Sequence, residues 1–388
     1  MRRRCYIFKT VQLLLIGFLF YSYAMFQGGA VSYTLFYAVC GILVYLFIMM
    51  LYPINQIRAT LTVNDDELEA GEGTVVTVKL KRPLPLPLMF LTVELSLPRS
   101  MNTTFTGIKA FLDETWPTRT EKPTRTVLVS FKRETKLTFT LDQLPRGKHI
   151  LKGVNVTVED MFLFTKKATQ IEVNQAIYSY PILIPAEKSS MNWAFQAVTK
   201  KLHPYHKRRE DMAGVREYVS GDKISQIDWK KSSKQDTLFT KQFDPKPEEK
   251  VMFFLDPHAN LRDDEWAVAV LYSLMRLFDV HKRSFHVNLA SFHERSFDQS
   301  LPAKQKLQKL AQLDVSHYDA SHVVFKKGMT PVVISSRESN NLPEALVYQL
   351  KKQNGLLILT STTEQPPSGI ISYHLTPDMV FGGDRHET

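Results

Sequence analysis

The chain reads as a multidomain protein: an N-terminal transmembrane helical hairpin, then a β-sandwich, then an open α/β sheet. Three observations predict this. Residues 10–57 carry no charged side chain over 48 positions, enough for two helical crossings of a bilayer. Residues 59–185 alternate apolar and polar residues in short runs punctuated by Gly and Pro, the pattern of half-buried strands. Residues 251–388 change period, with short apolar runs separated by segments of helical length.

Charge and composition narrow the function classes. A chain of 388 residues has room for two or three domains. The net charge of +10 is unevenly spread. Residues 1–58 hold five basic and no acidic groups, 59–185 hold 16 and 14, 186–250 hold 14 and 10, and 251–388 hold 14 and 15. The surplus sits in the membrane segment and a connector. The C-terminal domain lacks the basic face that phosphate neutralisation needs, which argues against a nucleic-acid partner. The two cysteines, Cys5 and Cys40, form no CxxC pair, so a disulfide framework or cysteine-rich zinc site is excluded.

Residues 1–58 form the anchor, with spans at about 6–26 and 31–52 on either side of Gly28-Gly29. Each run has the length that crosses roughly 30 Å of hydrocarbon as helix. A signal peptide is the rival for the first run. No small-residue cleavage site is evident, and a second long run follows at once. Tyr21, Tyr23, Tyr33 and Tyr52 suit interfacial positions. Arg2, Arg3, Arg4 and Lys9 precede the first span, and Arg58 follows the second. The positive-inside rule then places both termini in the cytoplasm, with the chain a two-span protein of the cell membrane.

Residues 59–185 are expected to form a β-sandwich of immunoglobulin-like type. The strand candidates are Ala59 to Val63, Val75 to Leu80, Leu91 to Leu97, Thr126 to Phe131, Leu137 to Leu141 and Val154 to Val158. Pro83, Pro85 and Pro87 suit an extended edge connection.

Residues 186–250 read as a polar connector. Its basic run, Lys200 to Arg209, suits a solvated linker or a segment attracted to anionic lipid. His203 and His206 flank Pro204 and read as surface histidines rather than a metal pair.

Residues 251–388 begin with Val251 to Leu255, an apolar run ending at Asp256 and typical of a buried parallel strand. A helix follows through about Val280, with Asp263, Asp264 and Glu265 favourable near its N-terminus. Strands are expected at Ser284 to Phe292, Pro331 to Ser335, Leu356 to Thr360 and Ile370 to Leu375. Helices are expected near Ala303 to Leu313 and Pro343 to Lys352, with a ragged tail from Thr376. This alternation predicts a mostly parallel sheet with helices on both faces.

The stretch Gly214 to Asp256 joins connector to sheet. Arg216 and Tyr218 lead into Gly221-Asp222, a pair that fits a tight turn because Gly tolerates positive φ and Asp bonds nearby amides. Arg216 is placed to form a forked ion pair with Asp222 or Asp228. Trp229 is expected to supply an apolar anchor. Lys230 and Lys231 open a basic stretch that, with Asp222 and Asp228, is a candidate partner-facing surface. The competing reading is that these residues only pin the connector onto the α/β domain.

Arg216-x-Tyr218-x-x-Gly221-Asp222, then Ile227-Asp228-Trp229, then a strand ending at Asp256, resembles the bacterial domain-of-unknown-function 58 family. Arg146-Gly147 with Glu159-Asp160-Met161-Phe162-Leu163-Phe164 is similar to a second stretch of that family. The resemblance implies a von Willebrand A-like C-terminal domain in a membrane-anchored adaptor. It also implies partners: an AAA+ ATPase of the MoxR type and a transglutaminase-like membrane protein. Metal-binding von Willebrand A domains use Asp-x-Ser-x-Ser after the first strand. Here Asp256 is followed by His258 and Asn260, and a later strand ends at Arg337 where an acidic residue is usual. Imidazole suits Mg²⁺ poorly, so no cofactor is expected and Asp256 is read as ordering its loop.

The chain has no GxxxxGK[ST], GxSxG, HExxH or GxGxxG. The reading is therefore a non-enzymatic scaffold or adaptor for envelope-associated proteins. The alternative is a metal-dependent ligand-binding domain, or a hydrolase, using the crevice at Asp256.

Overall fold

A computed structural model describes residues 2–86, 88–106, 111, 119, 122–129, 131–185, 189–202, 212–235, 237–243, 250–257, 261–292, 294, 296–315, 318, 325–326, 328–338, 341–361 and 369–381. The chain divides into two compact units, Met1–Tyr180 and Pro181–Thr388. The four segments expected from sequence therefore fall into two: anchor with sandwich, and connector with α/β sheet.

The first unit opens with α1 (Arg2–Gln27) and α2 (Ala30–Leu51). Both are long and apolar enough to cross a membrane. Their turn is Gly28-Gly29, at φ +56° and +88°, a left-handed region where a side chain costs energy. The helices pack closely. A Cβ on Gly17 would lie 3.3 Å from Leu43 Cδ1, and Tyr21 meets Phe36 edge-on at 5.8 Å. Outward side chains such as Leu14, Phe18 and Val31 remain exposed.

Two sheets follow. One joins β1 (Arg58–Val63), β3 (Thr74–Lys81) and β6 (Glu134–Leu141) in the order β1-β3-β6. The other joins β2 (Glu67–Glu69), β4 (Leu88–Ser96), β5 (Thr124–Val129), β7 (Gly147–Glu159) and β8 (Lys166–Tyr180) in the order β2-β8-β7-β4-β5. Alternation buries Val76, Val78 and Leu80 from one sheet with Leu91, Val93 and Val156 from the other in a shared core. Met49, Tyr52, Ile54 and Ile57 join that core, so the end of α2 is part of the sandwich's packing. Strand β8, 15 residues long, is absent from the strands expected by alternation.

The second unit corrects the connector. It contains a helix, α3 (Ser189–Leu202), with Met191, Ala194, Phe195 and Val198 buried. Their spacing is one face of a helix. Phe195 packs on Phe278 at 5.4 Å, and Trp193 on Tyr373 at 4.5 Å. His203, His206 and most of the basic run lie outside the described residues.

After β9 (Met212–Glu217), α4 (Trp229–Gln235) and β10 (Phe239–Phe243), the main sheet is built from six strands. They are β11 (Lys250–Asp256), β12 (Phe285–Asn288), β13 (Phe297–Asp298), β14 (Met329–Ser335), β15 (Leu356–Leu359) and β16 (Ile371–His374). The order is β13-β12-β11-β14-β15-β16, parallel throughout except the β13 edge. Four helices accompany these strands: α5 (Leu261–Val280), α6 (Ala303–Gln312), α7 (Glu344–Lys352) and α8 (Pro377–Phe381). Both faces of β11 are covered, which explains its unbroken apolar run. Met252 and Phe254 face Leu346 and Leu350 of α7. Phe253 faces Phe278 of α5. The tail is not ragged at Thr376: α8 follows, and its Phe381 packs on Trp266 at 5.9 Å.

Candidate functional site

The stretch from Gly214 to Asp256 folds around a small hairpin. β9 and β10 pair antiparallel as a two-stranded sheet separate from the six-stranded one. The register sets Arg216 opposite Thr240 and Glu217 opposite Phe239. The chain between them turns at Gly221, where φ is +113°. A Cβ there would meet nothing within 4 Å, so conformation rather than space favours glycine.

Asp222 is the hub. Its Oδ1 accepts from Arg216 Nη2 at 2.6 Å, and its Oδ2 accepts from the Val219 amide and the Thr240 hydroxyl, each at 3.1 Å. The Val219 amide, joined by the Arg216 side chain, holds the Asp222 carboxyl below its ordinary pKa. Asp228 has a different task. Its Oδ1 accepts from the Lys231 amide at 3.2 Å, capping the first turn of α4. Its own amide donates to Phe239 O at 2.8 Å, which ties α4 to β10. Ser232 closes the unit, donating to Asp228 O at 2.8 Å and accepting the Phe239 amide at 2.9 Å. Of the two ion-pair partners considered for Arg216, Asp222 is the one used. The Tyr218 amide bonds Leu238 O at 2.8 Å.

Trp229 corrects its expected role as an anchor. It is 62 % exposed. The buried apolar residue of the trio is its neighbour Ile227, bridged to Thr240. Val219, Ile224 and Leu238 are exposed as well, so with Trp229 this segment carries four large exposed apolar side chains. Lys223, Lys230 and Lys234 are exposed along the same segment. Lys231 instead lies over the Phe239 ring at 4.6 Å. Trp229, Lys230 and Lys231 are among the signature residues that the sequence offers here; Val219, Ile224 and Leu238 carry no such signal.

A second cluster lies at the carboxyl end of β11, where an open α/β sheet presents its crevice. Asp256 is fully buried. Parallel register places Ser335 beside it, and Ser335 Oγ donates to Asp256 Oδ2 at 2.8 Å. Arg337 Nε donates to Oδ1 at 3.2 Å, and the guanidinium lies 5.7 Å from the Tyr318 ring centroid. The Arg337 carbonyl accepts from Ser361 Oγ at 3.0 Å, and Ser336 bonds Asp264. His258 and Asn260 lie outside the described residues. Both Asp256 oxygens are engaged, one of them by a cation of the chain itself. This donor set does not fit Mg²⁺. Among the described residues no group of three or more His, Cys, Asp or Glu is arranged around a common point for a metal.

The hairpin, its capped helix and the first strand together match a protein family described as "Protein of unknown function DUF58", over residues 214–266. The chain carries a DUF58 segment. The match covers Arg216, Asp222, Asp228, Trp229, Asp256 and Asp264, but not Arg337. The chain is also 29 % identical over 319 residues to the uncharacterized protein YeaD of Bacillus subtilis (strain 168), covering 81 % of this chain and 76 % of that protein. Solved structures overlap it only weakly. The CARDB domain of a Pyrococcus furiosus protein aligns at 17 % identity and TM-score 0.17, covering 32 % of this chain and 91 % of that one. The sporulation control protein Spo0M of Bacillus subtilis aligns at 13 % identity and TM-score 0.20, covering 42 % and 57 %. The fold description therefore rests on the sheets above. Within the DUF58 segment, Asp222 and Asp228 hold the scaffold, while Trp229 and its exposed neighbours are left to face outward.

Proposed function

We propose that this protein is a membrane-anchored adaptor, not an enzyme, and that its DUF58 segment binds another protein. The observation carrying this reading is Trp229, 62 % exposed on a hairpin whose polar groups are tied down by Asp222 and Asp228. Exposed Trp on a rigid scaffold costs little ordering entropy on binding, and Trp is the residue most enriched among interface hot spots. Val219, Ile224 and Leu238 are further exposed apolar side chains of the same segment, and Lys223, Lys230 and Lys234 are its exposed cations. Such a surface fits a partner with an apolar centre and an acidic edge.

In the full reading, α1 and α2 span the cell membrane and the positive-inside charges place both termini in the cytoplasm. The β unit is an immunoglobulin-like sandwich and the second unit a von Willebrand A-like domain. The family resemblance supplies the partner classes: an AAA+ ATPase of the MoxR type and a transglutaminase-like membrane protein, acting in the assembly of envelope-associated proteins. A mild-detergent pull-down from native membranes tests this. Trp229→Ala, and separately Lys230→Glu with Lys234→Glu, both exposed, should lose the partner while melting like the parent. A Trp hot spot is worth about 2 kcal/mol or more, roughly 30-fold in affinity. Recovery of the same partners by all three proteins would refute the assignment.

A further inference from the structure

The β7–β8 connection carries three consecutive exposed apolar side chains, Met161, Phe162 and Leu163, at 58, 51 and 69 % exposure. They are not a slack loop. Asp160 is buried, and its carboxylate accepts the amides of Phe162 at 2.8 Å, Phe164 at 3.1 Å and Thr165. The Leu163 amide bonds Asp160 O at 3.1 Å. A buried side chain thus holds three large apolar ones in water.

The flanks of this tip are bonded to both helices of the hairpin. Lys9, in the first turns of α1, donates to Phe164 O at 2.5 Å and lies 5.3 Å from the Phe164 ring centroid. Lys167 donates to Met50 O at 2.7 Å and Tyr52 O at 2.8 Å, satisfying carbonyls at the end of α2. Thr10 reaches Met50 Sδ at 3.9 Å, so the start of α1 and the end of α2 lie at one level. That level is where the apolar spans Ile7–Gln27 and Ala30–Leu51 stop. At 1.5 Å per residue the helix from Lys9 to Gln27 is about 28 Å long, close to the roughly 30 Å of hydrocarbon it has to cross. The bilayer boundary therefore cannot lie far from Lys9, nor from the tip bonded beside it.

We propose that Met161, Phe162 and Leu163 form a wedge that inserts into the bilayer interface next to the helical hairpin. Its partner is lipid, at the junction of headgroups and acyl chains. The wedge seats the sandwich against the membrane surface, with Asp160 shielded behind it. This rests on the membrane-anchored reading given above, and the test separates the two.

The full chain, with Cys5→Ser and Cys40→Ser, receives one cysteine at a time for an environment-sensitive fluorophore. The wedge sites are Met161→Cys and Phe162→Cys, both exposed and therefore tolerant of replacement. Phe18→Cys in α1 is the buried-in-lipid comparator. Lys148→Cys is the aqueous one, about 36 Å from Glu159 along β7 at the usual strand rise. The proteins are placed in vesicles of phosphatidylcholine and phosphatidylglycerol carrying a nitroxide high on the acyl chain. The proposal expects blue-shifted emission at both wedge sites, with quenching several-fold above Lys148→Cys. Aqueous behaviour at both wedge sites, with Phe18→Cys quenched, overturns the wedge and leaves the hairpin standing. An aqueous signal at Phe18→Cys overturns the membrane reading and the wedge together.

Discussion

Arg337→Met removes a charge and keeps most of the side chain's bulk. Its consequence follows from the geometry at Asp256. That carboxylate is fully buried, whereas the Arg337 side chain is 22 % exposed. Removing one member of a buried pair costs about 3–5 kcal/mol, because the other charge is left without compensation. The lower end applies, since Ser335 Oγ still donates to Oδ2 and the arginine is partly in water. For a unit of roughly 200 residues, each kcal/mol shifts the midpoint by about 2–4 °C, giving a fall of roughly 6–12 °C. Scanning calorimetry of the full chain in mild detergent reads this from the transition of the second unit. Asp256→Asn alone should also destabilise, by leaving Arg337 without its anion. The double variant should recover part of the loss, as coupled partners do. A parent-like transition in Arg337→Met, or strictly additive losses in the double variant, would refute the claim that Arg337 neutralises Asp256.

Two further outcomes concern the sandwich. His149 is buried, with Nε2 2.8 Å from Pro145 O and Nδ1 2.8 Å from Ser100 Oγ. Burial holds its pKa below the ordinary 6.5. The unfolded chain therefore binds more protons at this site below pH 6.5, so the His149 contribution to stability is flat above that pH and falls as pH drops beneath it. The slope is at most about 1.4 kcal/mol per pH unit. Urea midpoints of parent and His149→Gln at pH 7.5 and 5.5 check this: the parent should lose more on acidification than the variant, and equal losses contradict it. Asp160→Ala strips three amides of a charged acceptor and should cost about 2 kcal/mol or more. Proteolysis between Met161 and Thr165 should accelerate; an unchanged cleavage rate would show that the loop does not depend on Asp160.

Much of the fold was legible because the physical signals were local. Val251 to Leu255 reads as a doubly covered strand because nothing polar interrupts it. The β1, β3 and β6 strands alternate cleanly because one face meets the core. The misses have equally physical causes. In β8 the residues Gln170, Ile171, Glu172, Val173 and Asn174 do alternate, and so does their burial, but the inward side chains there are only partly buried and the pattern breaks at Asn174-Gln175, so the apolar signal is short. The face of α3 at Met191, Ala194, Phe195 and Val198 was available in the sequence. It was obscured by the polar residues on either side and by the basic run that follows. Trp229 reads as an apolar anchor by its size, and the four-residue neighbourhood offers no signal that Ile227 fills that role. The Asp256–Arg337 pair is non-local: 81 positions separate partners that only the parallel register of β11 and β14 brings together. Arg337 was legible as hostile to a metal, but not as the cation that takes its place.

The DUF58 segment is proposed as a protein-docking surface in a membrane-anchored chain. A photoactivatable amino acid placed at Trp229 in the full-length protein, irradiated in native membranes, tests it most directly. Tyr348, equally exposed on α7 at 66 %, is the matched control. The expected outcome is a discrete protein adduct at Trp229, identified by mass spectrometry as an AAA+ ATPase, and none at Tyr348. Adducts to lipid only, or the same faint background at both positions, would contradict it.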